Sequence, residues 1–81
     1  MATQNTQARD RIERLAQLAA LPADAVLPTP DAALYSGVGT STWERLRAKR
    51  ETPPAIHLTS RTLGYRKRDL DARLDSLTEA A

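Results

Sequence analysis

The chain has 81 residues, with 12 Lys and Arg against 10 Asp and Glu, one His and no Cys. That length suits a single small domain, and the lack of cysteine excludes disulfides, thiolate metal sites and a cysteine nucleophile. One His57 cannot build a metal cluster, and no apolar run approaches the roughly 18 residues that a membrane-spanning helix needs.

Residues 1–7 are polar and are expected to fray. Asn5 or Thr6 suits the cap of a helix running to about Leu21. Ala8, Ile12, Leu15 and Ala19 recur at helical spacing with Leu18 beside them, while Arg9, Asp10, Glu13 and Gln17 take the other face. Two readings of that apolar stripe stay open: packing on its own domain, or docking on a neighbouring copy. Pro22 ends the helix. Pro22, Pro28 and Pro30 make residues 22–30 a stiff linker, within which Val26 and Leu27 reach toward the core as a short extended segment.

Residues 29–50 read as a short helix, a glycine turn and a second helix with a basic end. Thr29 suits an N-cap, Pro30 the first helical position, and Asp31 the first turn, where the helix dipole favours a negative charge. Gly37 and Gly39 flank Val38 and allow a sharp turn with positive φ. Ser41 and Glu44 have capping-box spacing, with Gly39 as the rival cap. With about 3.6 residues per turn, Trp43, Leu46 and the stem of Arg47 fall on a core side. Thr40, Ser41, Glu44, Arg45 and Ala48 fall on the opposite side. This is the helix-turn-helix pattern, whose second helix enters the DNA major groove. Arg45 suits a bidentate contact to guanine, while Lys49 and Arg50 reach toward backbone phosphates.

Thr52-Pro53-Pro54 cannot continue a helix. Ile56-His57-Leu58 and Leu63-Gly64-Tyr65 then flank a polar tip containing Arg61. Ile56, Leu58, Leu63 and Tyr65 alternate as in a hairpin with one buried face, a wing attached to the helices. His57 points outward, either as an ordinary strand residue or toward a phosphate. Arg66, Lys67 and Arg68 lie at the base of the wing. A last helix from Arg68 or Asp69 to Leu77 carries Leu70, Leu74 and Leu77 as its stripe; Ala80 and Ala81 are expected to fray.

The charge is unevenly spread. Residues 1–40 balance at −1, residues 41–68 at +6 and residues 69–81 at −3. A basic central segment of this kind is the footprint of a polyanion-binding surface. The expected fold is therefore mostly α with a small β-hairpin: a winged helix-turn-helix with an extra N-terminal helix. Residues 1–26 form the helix and linker, residues 27–81 the DNA-binding domain. The expected DNA-binding residues are Thr40, Ser41, Thr42, Glu44, Arg45, Arg47, Lys49, Arg61, Arg66, Lys67 and Arg68.

Gly37-Val38-Gly39-Thr40-Ser41-Thr42-Trp43-Glu44-Arg45 resembles the Gly-Val-Ser-x-Ser-Thr-hydrophobic-Tyr-Arg signature of AlpA-like regulators. These belong to the MerR-like winged-helix group that includes phage and integrative-element excisionases. Pro53-Pro54-Ala55-Ile56 is similar to that family's Phe-Pro-x-Pro-Val joint, and Arg61-Thr62-Leu63-Gly64-Tyr65 to the wing's Arg-Ser-Val-x-Trp. The likeness spans about residues 27–77; Gly39, Glu44, Thr52, Tyr65 and Arg73 depart from the family pattern. It implies a sequence-specific double-stranded DNA-binding protein of a phage or mobile element. Such a protein acts as an excisionase (recombination directionality factor), as a transcriptional regulator, or as both. The implied partners are an integrase and further copies of the chain along DNA, here through the N-terminal helix. The implied location is cytoplasmic and nucleoid-associated, with no membrane partner; the N-terminus also lacks the pattern of a secretory signal. The rival expectations are a protein-interaction module using residues 8–19 and a DNA-recognition module like a phage terminase small subunit. No catalytic residue, cofactor or metal is expected, since nothing in the chain resembles a Gly-rich phosphate loop or a nucleophile with its base.

Overall fold

Four helices and three short strands follow one another among the described residues: α1 (Ala2–Ala19), β1 (Val26–Pro28), α2 (Thr29–Tyr35), α3 (Thr40–Ala48), β2 (Ile56–His57), β3 (Leu63–Arg66) and α4 (Lys67–Leu77). The computed structural model describes residues 2–79, with side chains from Ala8 onward. α1 begins at Ala2, so the backbone of the polar segment expected to fray is helical. The fraying expected of Ala80 and Ala81 lies outside the described residues.

The strands form one antiparallel sheet in the order β1-β3-β2. The molecule is thus mixed α and β, four helices on a three-stranded sheet, where the sequence had suggested a two-stranded hairpin. The third strand is the segment read as a linker. Pro28 lacks an N–H but ends an edge strand, where none is required. The register explains a second difference. Leu27 lies opposite Tyr65, and Ile56 opposite Gly64. Opposed residues share a face, so Leu27 and Tyr65 face the core while Ile56 sits on the other side. Leu58 follows it and remains 45% exposed. The four apolar residues of the hairpin are therefore split between two faces.

The core comprises Leu18, Leu27, Ala32, Ala33, Trp43, Tyr65 and Leu70, each at most 1% exposed. It draws on all four helices and both β1 and β3. Trp43 and Tyr65 pack edge to face, with ring centroids 5.2 Å apart and planes at 88°. Each such ring removes about 150–250 Å² from water, or about 4–6 kcal/mol gross at ~25 cal/mol per Å². That rivals the whole net stability of a small domain, about 5 kcal/mol or a little more. The Arg73 guanidinium lies 5.4 Å from the centre of the Trp43 ring, and its Nε donates to Glu51 O at 3.0 Å. A cation thus stacks on the indole. Leu77, expected in the stripe of α4, is 63% exposed because the helix runs past the sheet.

Glycine matters at two positions. Gly37 (φ +79°) closes α2: its N–H donates to Leu34 O and that of Val38 to Ala33 O, each at 3.0 Å, a Schellman ending. Gly39 has φ −76° and is instead the N-cap of α3, so the positive φ expected of both glycines occurs at Gly37 alone. α2 starts one residue earlier than read, with Pro28 as N-cap and Thr29 already helical. α3 ends in the same Schellman geometry, but Arg50 holds the left-handed position at φ 60°. The second glycine position is Gly64, where a Cβ would lie 2.7 Å from Val26 Cγ1 and 2.9 Å from Leu58 Cδ1. Gly64→Ala should lower unfolding free energy by about 1–3 kcal/mol, the range for overpacking. Combining it with Val26→Ala should destabilise less than the sum of the single changes in urea titrations; strict additivity would show that the two atoms do not collide.

Candidate functional site

The nine residues of α3 are sorted by helical rotation. Trp43 turns inward and Leu46 is half-buried, while Thr40, Ser41, Glu44, Arg45, Arg47 and Ala48 are exposed and Thr42 is half-buried. Arg45 lies two residues from Trp43, about 200° around the helix, so burying the indole turns Arg45 to solvent. Lys49 caps the C-terminal end and is exposed, beside Arg50.

The loop 58–62 is held by Thr59. Its hydroxyl accepts hydrogen bonds from the N–H groups of Arg61 at 3.1 Å and Thr62 at 3.0 Å. The N–H of Leu58 donates to Thr62 O at 2.8 Å. The backbone under Arg61 is therefore fixed while its side chain is exposed. Between this tip and α3 lies a cleft of about 470 Å³. Thr40, Glu44 and Arg47 form one wall, Arg61, Thr62 and Leu63 the other, with Trp43 and Tyr65 beneath. The aromatic pair thus sets the spacing between helix and loop. Trp43 Nε1 and Tyr65 Oη have no hydrogen-bond partner among the described residues. Leaving such groups unpaired costs about 1–3 kcal/mol each, which the burial of both rings offsets.

Arg66, Lys67 and Arg68 lie elsewhere. β3 carries the chain about 10 Å from Leu63 to Arg66, away from the tip. There the basic run is engaged within the chain. Arg68 Nη1 donates to Asp24 Oδ1 at 2.7 Å and Arg66 Nη1 to Asp24 O at 3.4 Å. The N–H groups of Lys67 and Arg68 donate to the carbonyls of Ala25 and Ala23, so the amides that open α4 are also used. Lys67 Nζ lies 3.3 Å from Asp71 Oδ2 and 5.7 Å from the centre of the Tyr35 ring, and its side chain is only 12% exposed. The run expected to line a path for phosphates thus ties β3 and α4 to the 22–25 turn and to α2. His57 is exposed on the sheet face of Leu63.

α1 is fixed by Leu18 in the core and by a bidentate pair in which Arg14 Nε and Nη2 donate to Asp31 Oδ1 and Oδ2 at 3.2 and 2.6 Å. The carboxylate raises the pKa of Arg14 further. One turn earlier on the same face, Arg11 lines a second groove together with Leu15, Leu34 and Gly37 to Thr40. Arg11 is the residue that sequence reasoning passed over. Its spacing of three from Arg14 was visible, but not the docking that gives the spacing meaning. Ile12 and Leu15 are 68% and 40% exposed, so the stripe of α1 enters its own core through Leu18 alone among the described residues.

Among the described residues no cluster of His, Cys, Asp or Glu suits a metal ion, and no helix is long and apolar enough to cross a membrane. Comparison with protein-family models, curated proteins and solved structures finds no match.

The Tyr35 hydroxyl donates to Asp71 Oδ1, and this bond, with partial burial and the nearby carboxylate charges, pushes its pKa up to about 12. An unfolded tyrosine ionises near pH 10. Between these values the folded chain holds a proton that the unfolded chain has released, so stability falls as pH rises from about 10 to 12. Tyr35→Phe should remove that portion of the alkaline loss in melts recorded from pH 9 to 12. An identical alkaline profile would show that the bond to Asp71 does not form in solution.

Proposed function

We propose that this chain is a sequence-specific double-stranded DNA-binding protein with a winged helix-turn-helix. In this reading α2 and α3 form the helix-turn-helix and the β2–β3 loop is the wing. The observation that carries the reading is the cleft on which α3 and the loop tip converge, with Arg47 on one wall and Arg61 on the other. A probe helix in the major groove and a cation reaching toward the adjoining backbone need this arrangement. Thr40 and Ser41, at the N-terminal end of α3, suit phosphate approach, and Arg45 projects where a base edge would lie. Arg47, Lys49, Arg50 and Arg61 would neutralise phosphates.

The likeness to AlpA-like regulators and excisionases favours a role in a phage or mobile element, as a recombination directionality factor or a transcriptional regulator. Both outputs use the same surface and neither requires catalysis. An integrase is the protein partner that the excision role implies. The exposed Ile12 and Leu15 support a second reading, in which α1 docks on protein, including a neighbouring copy bound alongside.

With about four phosphates neutralised, log affinity should fall with log salt at a slope near −4 in anisotropy titrations on a duplex selected from a random pool. A slope near zero on every duplex would remove the reading. Arg45→Ala should weaken the selected site by about 1–3 kcal/mol and relax preference at one base pair. Arg68→Ala, which lies past the far end of β3 and outside the lining of the cleft, should change affinity less than twofold.

A further inference from the structure

Thr40 of α3 and Pro30 beside it line both the cleft beside the loop tip and the groove beside α1. The start of α3 is therefore a ridge between two depressions of similar size, about 470 and 510 Å³. Each has a cation on its far side, Arg61 in one and Arg11 in the other, and Arg47 stands on the α3 wall of the first. The floor of the second groove is the 37–39 turn, where a side-chain carbon at Gly37 or Gly39 would meet nothing within 4 Å. Backbone there is open to a ligand. Arg11 is exposed and makes no ion pair among the described residues, whereas Arg14, one turn away, is consumed by Asp31.

We infer that α1 contributes to nucleic-acid binding: the groove between α1 and the 37–40 turn takes one sugar-phosphate strand of a duplex, and Arg11 neutralises a phosphate there. The inference rests on the DNA-binding reading of α3 and extends the contact to a helix outside the recognised pattern. A duplex presents two backbones about 12 Å apart across its major groove. A helix end inserted between them requires a depression on each side, and both are present. Leu15, Leu34 and Val38 give the groove an apolar wall, which suits the deoxyribose faces of a strand. A protein helix lying in the groove would have to bring its own carboxylate to Arg11, and the sedimentation arm below tests that occupant.

Arg9 provides an internal control. It is exposed and carries the same charge, but lies two residues away and thus about 200° around α1. The test compares Arg11→Ala, Arg9→Ala and Arg11→Lys in the full chain, on a duplex holding one site, by anisotropy across a salt series. One lost phosphate contact reduces the salt slope by about 0.9, which near 0.1 M salt is about an eightfold loss of affinity. Arg11→Ala should show that loss equally on selected and scrambled duplexes, Arg9→Ala less than a twofold loss, and Arg11→Lys most of the wild-type affinity. Equal effects of Arg9→Ala and Arg11→Ala, or none from either, would overturn the inference while leaving DNA binding by α3 intact. Failure of the wild-type chain to bind any duplex would overturn both. Sedimentation of the same variants gives the alternative outcome: a change of self-association by Arg11→Ala with unaltered single-site binding would assign the groove to a second copy and refute the strand.

Discussion

The edge-to-face contact between Trp43 and Tyr65 is the constraint on which the rest of the molecule depends. Trp43 belongs to α3 and Tyr65 to β3, so this one contact fixes α3 against the strand that leads from the loop tip. Both rings are fully buried, and Arg73 covers the outer side of the indole. The pair acts as the floor of the cleft. Thr40, Glu44 and Arg47 on one wall and Arg61 on the other keep their separation because the floor cannot move without losing several kcal/mol of burial. The unpaired Nε1 and Oη show which effect wins there: apolar area outweighs two polar groups.

Around that floor, positive charge is unevenly paired. The segment of residues 41–68 carries a balance of +6, yet its cations fall into two groups. Arg45, Arg47, Lys49, Arg50 and Arg61 are exposed on α3, at its C-terminal end and at the loop tip, and none makes an ion pair among the described residues. Arg66, Lys67 and Arg68 hold the opposite end of β3 to acidic and carbonyl oxygens. Pairs as exposed as Arg68 with Asp24 contribute little stability. The start of α4 is joined to the turn before β1 chiefly by the backbone, through the N–H groups of Lys67 and Arg68 on Ala25 O and Ala23 O.

Local periodicity made much of this legible. The opposite placement of Trp43 and Arg45 follows from rotation along one helix, and Pro30 and Gly37 bracket α2 to within two residues, whereas α3 ends at Ala48, well before Pro53. Non-local pairing was not legible. Val26 to Pro28 is three residues long and ends in proline, so by itself it reads as a linker; only β3 makes it a strand. The alternation of Ile56 and Leu58 was visible, but its phase relative to Tyr65 is set by the register across the 58–62 loop. Asp24 meets Arg68 across 44 positions, so a count of local charge leaves both as free groups. Arg11 was likewise uninformative until Leu18 and Arg14 fixed α1 beside the turn.

The most direct test of the account is amide chemical-shift mapping of the isotopically labelled chain on addition of a duplex. The account requires the largest shifts at residues 39–47 and 59–63 together, since one rigid floor presents both to the same ligand, with small shifts at 66–71. Shifts confined to residues 66–71, or to only one of the two walls, would contradict a cleft that binds as a unit.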